Sequence, residues 1–288
     1  MKVRHIHKAE VRDRVVHHLI FQCLNPIFEQ SFIADSYSCQ KEKGTHKAIK
    51  RFQVFTRKVE QTYGRCFVLK CDVKKFFSTL DHQILLNIVS KRVKDDDVLW
   101  LFKIIINSFS SEFDPEVNGK KGTPIGNLTS QLFANIYMNE FDQFVKHKLK
   151  IKYYVRYTDD FVIVHHDKNY LINIKTEISD FLEKKLKLSL HPDKVELRKY
   201  HQGIDFLGYV TLPKARVLRT KTKNRIFKKL NLRAQQFKEE KIKEESVLQS
   251  FNSYLGVLSH GNTYELEQKL RHKLWEWLKS PFLGKKKG

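Results

Sequence analysis

The chain has 288 residues and a formal net charge of +22, from 54 Lys and Arg against 32 Asp and Glu. Hydrophobic residues make up 41% and aromatics 12%, enough apolar material for a core, which excludes disorder as the main state, and the length fits one large domain or two small ones. The charge excess points to a polyanionic partner, nucleic acid or an acidic membrane surface, and no apolar run reaches the roughly 18 residues of a membrane span.

Residues 1–14 are charged and lack the apolar stretch of a signal peptide, so a cytoplasmic protein is expected. Residues 10–30 read as a helix through Val11, Val15, Leu19, Phe21 and Leu24, with Pro26 where it bends or ends. Cys23, Cys39, Cys66 and Cys71 form no CxxC pair, and reduced, mostly buried thiols are expected rather than a zinc or disulfide site. Residues 66–73 alternate, with Phe67, Leu69, Cys71 and Val73 on one face and Val68, Lys70 and Asp72 on the other, the pattern of a half-buried strand. Residues 82–106 read as one helix carrying Ile84, Leu85, Ile88 and Val89, with Asp81 as its N-cap. Gly119, Gly122, Pro124 and Gly126 mark a loop. An apolar helical stripe follows from Thr129, through Leu132, Phe133, Ile136, Tyr137, Phe141, Phe144 and Val145.

Residues 153–157 and 161–165 read as a hairpin with Asp159 and Asp160 at its tip. Residues 170–187 are helical, and 203–219 form short strands around turns at Gly208 and Pro213. From about residue 220 to 280 the pattern is helical and basic; residues 216–243 hold eleven Lys and Arg but two acids, which favours phosphate binding over a merely solvated face. The expected boundary lies near residue 213. Thirteen histidines show no clustered spacing, so no histidine metal site is expected.

Three acids stand out by context, Asp72 at the end of an apolar strand and Asp159 and Asp160 at a hairpin tip. Taken singly, such an acid is ordinarily a cap or a solvated turn residue. Taken together, two strands from distant parts of the chain deliver carboxylates at their edges. If the strands are neighbours, Asp72 and Asp159 face each other, and hard oxygen ligands so placed suit Mg²⁺. Two such ions about 3.5–4 Å apart can activate a 3′-hydroxyl and stabilise a leaving pyrophosphate.

Residues Phe67–His82 resemble motif A of reverse transcriptases, and Arg156-Tyr-Thr-Asp-Asp-Phe161 resembles their Tyr-x-Asp-Asp box. Gly122-Thr-Pro-Ile-Gly-Asn-Leu-Thr-Ser-Gln131 resembles motif B, and Gly203-Ile-Asp-Phe-Leu-Gly-Tyr209 the primer-grip hairpin. The four stand in family order and cover nearly the whole chain. The Ile125-Gly-x-x-x-Ser-Gln131 form is similar to enzymes of diversity-generating retroelements, as are Arg12–His17, Tyr37–Cys39, Lys43–His46 and Ser253–Gly256.

The resemblance implies an α+β, right-hand polymerase fold, with partial fingers over 1–65, an antiparallel-sheet palm over 66–213 and a basic helical thumb over 214–288. It implies an RNA-directed DNA polymerase that uses two Mg²⁺ ions, dNTPs, a template RNA with its primer and the RNA–DNA duplex they form. In the retroelement type a small basic accessory protein assists, and template adenines are copied with errors. Asp72 and Asp159 would bridge the metals, with Asp160 in support and the Val73 carbonyl completing a shell. Phe77 would exclude a 2′-hydroxyl, whereas Phe76 reads as core. Gly126 and Gln131 would shape the nucleotide floor, the glycine by letting backbone approach a base, and Ile125 is associated with fidelity. Phe206, Leu207, Gly208 and Tyr209 would grip the primer.

Lys2 and Arg4 match basic finger residues that neutralise a triphosphate, or they belong to a solvated terminus. This motif begins at Met1, which implies short fingers. Lys194, in Leu190-His-Pro-Asp-Lys194, is a surface lysine or a general acid near the pyrophosphate. A second reading is a group II intron-type or other bacterial reverse transcriptase with an RNA-binding, maturase-like role. Pure RNA binding would not need the three acids, which repel phosphate. With charge excess on both sides of an acidic island, a nucleic acid displaces a membrane surface as the expected partner.

Overall fold

The structure is a computed structural model that describes residues 9–109 and 121–279. The chain parts into two compact units, one up to Lys199 and one from Tyr200 onward.

The first unit is built on a four-stranded antiparallel sheet of β1 (Phe67–Asp72), β2 (Tyr154–Tyr157), β3 (Asp160–His165) and β4 (Glu196–Lys199), in the order β2-β3-β1-β4. The alternation of β1 puts Leu69 and Cys71 on one face with Phe161 and Ile163 of β3. This face packs on α6 (Leu128–Gln143) and α7 (Lys168–Leu186) through Ile136, Tyr137, Phe141, Ile174, Ile178 and Leu182. The opposite face is not the polar surface that alternation implies. Val68, Val155, Val162 and Val164 are buried there, and α2 (Thr45–Tyr63) lies over β2 and β3. Its inward residues are Ala48, Ile49, Phe52, Phe55 and Val59. The sheet is thus two-sided where α2 covers it and open at the β1 end, where Lys70 and Asp72 are half-buried.

Helix α6 is buried on nearly every side, because α1 (Val11–Glu29) and α4 (His82–Ser90) pack against it while the sheet lies beyond. Helix α1 runs three residues past Pro26; a proline in the last turn deletes little of the hydrogen-bond ladder. The single helix expected over 82–106 is two, α4 and α5 (Asp96–Asn107). The break arises because Asp95 caps a new helix, accepting from the Val98 N–H at 2.9 Å, with Asp96 and Asp97 favourably placed in its first turn. A four-residue turn, α3 (Phe76–Thr79), connects β1 to α4. Two cysteines rather than most are buried. Burial pushes the Cys66 and Cys71 thiols up to about 12, which leaves them inert, whereas Cys23 and Cys39 are exposed.

The second unit joins the meander β5 (Ile204–Phe206), β6 (Tyr209–Thr211) and β7 (Arg216–Leu218) to α8 (Thr220–Lys238), α9 (Glu244–Leu258) and α10 (Tyr264–Lys279). The helices meet through Ile226, Leu230, Ala234, Val247, Phe251, Leu258, Leu270 and Leu274. The sheet is tied to them by the Tyr209 hydroxyl on the Val257 carbonyl (2.8 Å) and the Asn262 N–H on the Arg216 carbonyl (2.7 Å). Inward apolar spacing on α8 leaves Lys221, Arg225, Lys228 and Lys229 exposed. Among the described residues no helix is long and apolar enough to cross a membrane.

Candidate active site

The strands that carry the acids are neighbours at the centre of the first unit's sheet. The register pairs Asp72 with Asp160, so their side chains share one face. This corrects the expectation that Asp72 faces Asp159. Asp159 instead sits in the two-residue turn after β2, behind the left-handed Thr158 (φ 56°), and its carbonyl accepts the Val73 N–H at 3.3 Å. Asp72, Val73, Asp159 and Asp160 therefore gather at one sheet end.

Lys194 joins them. The His191 N–H donates to the Asp72 carbonyl at 2.8 Å, and the Lys74 N–H to the Ser189 carbonyl at 2.8 Å, so the chain before β4 is zipped to the end of β1. A single 3-10 turn, Pro192–Lys194, then delivers the ammonium of Lys194 to Asp72 Oδ1 at 2.7 Å. Asp72 is only 17% exposed in this pair.

The donor set fits a hard divalent cation. Among the described residues no three His, Cys, Asp or Glu side chains converge as a ready-made cluster. Mg²⁺ does not require one, since it commonly takes one or two carboxylates and completes its shell with water and substrate phosphate. The carboxylate of Asp72 already receives one cation, the Lys194 ammonium.

Beside the acids, Phe76 is core, 2% exposed, and Phe77 is half-buried with its ring edge-on to Phe76 at 5.3 Å. The glycine-rich loop is strapped to this turn. The Thr123 N–H donates to the Phe77 carbonyl (2.7 Å), the Gly122 N–H to the Leu80 carbonyl (2.8 Å), and the His82 ring to the Gly122 carbonyl (2.7 Å). Gly122 and Gly126 take φ of 97° and 122°, conformations a side chain disfavours. Thr123 donates to Ser130 at 2.8 Å, and Thr129 lies 2.9 Å from the His17 ring, which fixes the start of α6. Gly126 and Gln131 are exposed there, and Ile125 is half-buried. Gly119, Lys2 and Arg4 lie outside the described residues.

Asp81 locks the floor of this region. It is buried and accepts from the Ile84 N–H at 3.0 Å and from Lys187 at 3.0 Å. Burial raises its pKa, but the bonds from Ile84, Lys187 and Gln83 outweigh that and hold the carboxyl below its usual range. A depressed carboxylate contributes stability above its unfolded pKa and loses it as pH falls through the folded one. Asp81→Ala is expected to cost about 1 kcal/mol near neutral pH. In urea titrations the gap from wild type should close below about pH 4; a gap that widens there would show the assignment to be wrong.

A buried polar cluster behind the turn leaves little local trace in the sequence. Arg156, fully buried, pairs with the equally buried Asp142 of α6 through Nε (2.8 Å) and Nη2 (2.6 Å). The Tyr154 hydroxyl donates to Asp142 at 2.7 Å, and burial, then the Asp142 charge, pushes this phenol well above its usual pKa. The available signals are an arginine inside an apolar strand and an acid on the apolar stripe of α6.

In the second unit, the residues compared with a primer grip form the β5–β6 hairpin. Leu207 and Gly208 take its two-residue turn with φ of 52° and 91°. Phe206 and Tyr209 are buried, so the tip is what this hairpin offers to a ligand.

Residues 1–211 match the family described as "Reverse transcriptase (RNA-dependent DNA polymerase)". The chain is similar to Protein YkfC of Escherichia coli (strain K12), 28% identical over 240 residues, covering 72% of this chain and 63% of that protein. It is similar to the group II intron-encoded protein LtrA of Lactococcus lactis subsp. cremoris, 26% identical over 270 residues, covering 72% of this chain and 44% of that protein. It thus spans less than two thirds of either relative. In fold it is similar to telomerase from Candida albicans, with a TM-score of 0.54 at 15% identity over 96% of this chain and 49% of that one. The apo telomerase of Candida tropicalis gives 0.56 at 14% identity, over 92% of this chain and 49% of that one.

Proposed function

The chain belongs to the reverse transcriptase (RNA-dependent DNA polymerase) family, and from that premise we propose that it extends a primer on an RNA template with dNTPs, using Asp72, Asp159 and Asp160. The observation that carries this reading is the register of β1 and β3, which opposes Asp72 to Asp160 with Asp159 in the adjoining turn. These carboxylates and the Val73 carbonyl would hold two Mg²⁺, which supply charge neutralisation and activation of the primer's 3′-hydroxyl. Lys194, which donates to Asp72, would give a proton to the departing pyrophosphate. Gly126 and Gln131 would line the approach of the base, and Lys2 and Arg4 are assigned to the triphosphate.

In this reading residues 1–65 serve as partial fingers, 66–213 as palm and 214–288 as thumb. The exposed Lys221, Arg225, Lys228 and Lys229 of α8 track the phosphates of an RNA–DNA duplex by its groove shape rather than its sequence. The Leu207–Gly208 tip touches the primer. The direct test is extension of oligo(dT) on poly(rA) with Mg²⁺ and dTTP, beside Asp159→Ala. No extension by the wild type, or equal extension by both, would remove the catalytic reading.

Phe77 acts as the sugar gate. Its carbonyl accepts from the Thr123 N–H and its ring lies edge-on to Phe76, contacts that support the ring in this role. Phe77→Val is expected to raise rNTP use relative to dNTP at least about tenfold, measured as the ratio of kcat/KM values. An unchanged ratio would assign Phe77 to the core instead.

For the type of element the enzyme serves there are two readings. The Ile125-Gly-Asn-Leu-Thr-Ser-Gln131 segment favours a diversity-generating retroelement, with a small basic accessory protein as partner. The similarity to LtrA, a group II intron-encoded protein, favours the second reading, an intron-type enzyme, to which a maturase-like role would belong. Sequencing of cDNA made on a natural template separates them. Errors concentrated at template adenines support the first, and errors spread evenly over the four bases count against it.

A further inference from the structure

We propose that Arg156 is a positioning residue for Asp159, its guanidinium holding the left-handed turn that aims the Asp159 carboxylate. The inference rests on the catalytic reading of Asp159 given above.

Arg156 ends the buried part of β2, and its five N–H donors are all directed to acceptors. Nε and Nη2 engage the two oxygens of Asp142; Nη2 also donates to Ser36 Oγ at 3.0 Å. Nη1 donates to the Thr158 carbonyl at 2.9 Å and lies 3.5 Å from Asn135 Oδ1. Thr158 directly precedes Asp159. Its φ of 56° is costly for a β-branched residue and persists only where the surroundings over-determine it. They do so here twice, since the Thr158 hydroxyl also donates to Ser38 Oγ at 2.6 Å. The segment that supplies the serine oxygens is itself fixed to β2 and α6. The Arg156 N–H donates to the Asp35 carbonyl (3.0 Å), the Tyr37 N–H to the Arg156 carbonyl (3.0 Å), and Asn135 Nδ2 to the Ser38 carbonyl (2.9 Å).

A wholly buried ion pair is a poor device for stability alone, because apolar replacements of similar volume usually do as well. What an apolar replacement cannot do is send a rigid donor to the Thr158 carbonyl while remaining anchored on α6. The planar fork of arginine bonds in two directions at once; lysine, with one nitrogen on a flexible stem, keeps the charge but not the fork.

Arg156→Lys is the first test, on the full chain. Primer extension should lose about 10- to 100-fold in kcat, with KM for dTTP changed little, as for an outer partner of a metal ligand. Binding of Mn²⁺ alone, followed by electron paramagnetic resonance, should weaken about tenfold. Wild-type turnover and wild-type Mn²⁺ affinity in a folded Arg156→Lys protein would overturn the proposal. The triple variant Arg156→Met, Asp142→Leu, Tyr154→Phe guards against a folding defect. It should melt near the wild-type temperature and still show the turnover and Mn²⁺ losses. If it regains wild-type turnover together with stability, Arg156 is only a packing element. Asp159→Ala run in parallel separates the two claims. Full extension by that variant sinks the catalytic reading itself. An inactive Asp159→Ala beside a wild-type-like Arg156→Lys sinks the positioning role alone.

Discussion

Asp72→Asn is expected to lower single-turnover primer extension by at least about 10³-fold while leaving melting within a few degrees of wild type. Asn keeps the shape of the side chain and the strand pairing of residue 72 with Asp160, so the sheet has no reason to rearrange. What disappears is one negative charge at the point where the proposed mechanism puts a cation. The stability cost is small because the ion pair lost is that with Lys194, whose side chain is 45% exposed, and partly solvated pairs contribute little. Affinity for an RNA–DNA duplex should be unchanged or slightly higher, since an acid beside phosphates repels them. Filter binding measures that arm and rapid-quench extension the other. Extension within tenfold of wild type would show that Asp72 does not hold the reacting metal, and a parallel loss of duplex affinity would mean that the variant is damaged rather than disarmed.

The legible parts of this site are those encoded over a few neighbouring residues. The alternation of 67–73 yields β1, and the spacing of Asp81 before an apolar stripe yields a cap that the Ile84 N–H confirms at 3.0 Å. The Tyr-Thr-Asp-Asp run yields the hairpin. Its second strand starts one residue earlier than apolar alternation suggests, at Asp160 rather than at Phe161. The Asp160 carboxylate thereby enters the ladder opposite Asp72, and only Thr158 and Asp159 are left to make the turn.

Periodicity misleads where it runs on without interruption. Apolar spacing continues from α4 into α5 and masks the Asp95-Asp96-Asp97 start signal between them. Helix α2 goes unread because Lys, Arg and Gln interrupt its stripe, although Gly44 and the left-handed Gly64 bracket it. Long-range contacts have no local trace. Lys194 reaches Asp72 only because the His191 N–H is bonded to the Asp72 carbonyl across the sheet end. Burial on both faces likewise hides the strand face under α2, since valine alternating with lysine reads as half-exposed.

The buried pair behind the turn predicts the largest stability effect. Asp142→Ala is expected to destabilise the first unit by about 3–5 kcal/mol, the usual cost of stranding one member of a buried ion pair. Both side chains are 0% exposed at a separation of 2.6 Å, so no water can replace the lost carboxylate without opening the core. The substitution leaves the guanidinium of Arg156 without its bidentate partner and the Tyr154 hydroxyl without its acceptor. Arginine does not escape by releasing its proton, and burial keeps the Tyr154 phenol neutral and in need of an acceptor. The expected fall in melting temperature is roughly 6–20 °C for a unit of this size. Lys184→Ala, which breaks an equally short ion pair with Asp180 on the solvent face of α7, should shift melting by no measurable amount, because water replaces the partner. Calorimetry on the full chain can follow the first unit's transition in each variant. A loss below about 1 kcal/mol for Asp142→Ala would mean that the core relaxes to solvate Arg156, and the turn bearing Asp159 would then owe its shape to the Thr158–Ser38 bond rather than to the guanidinium.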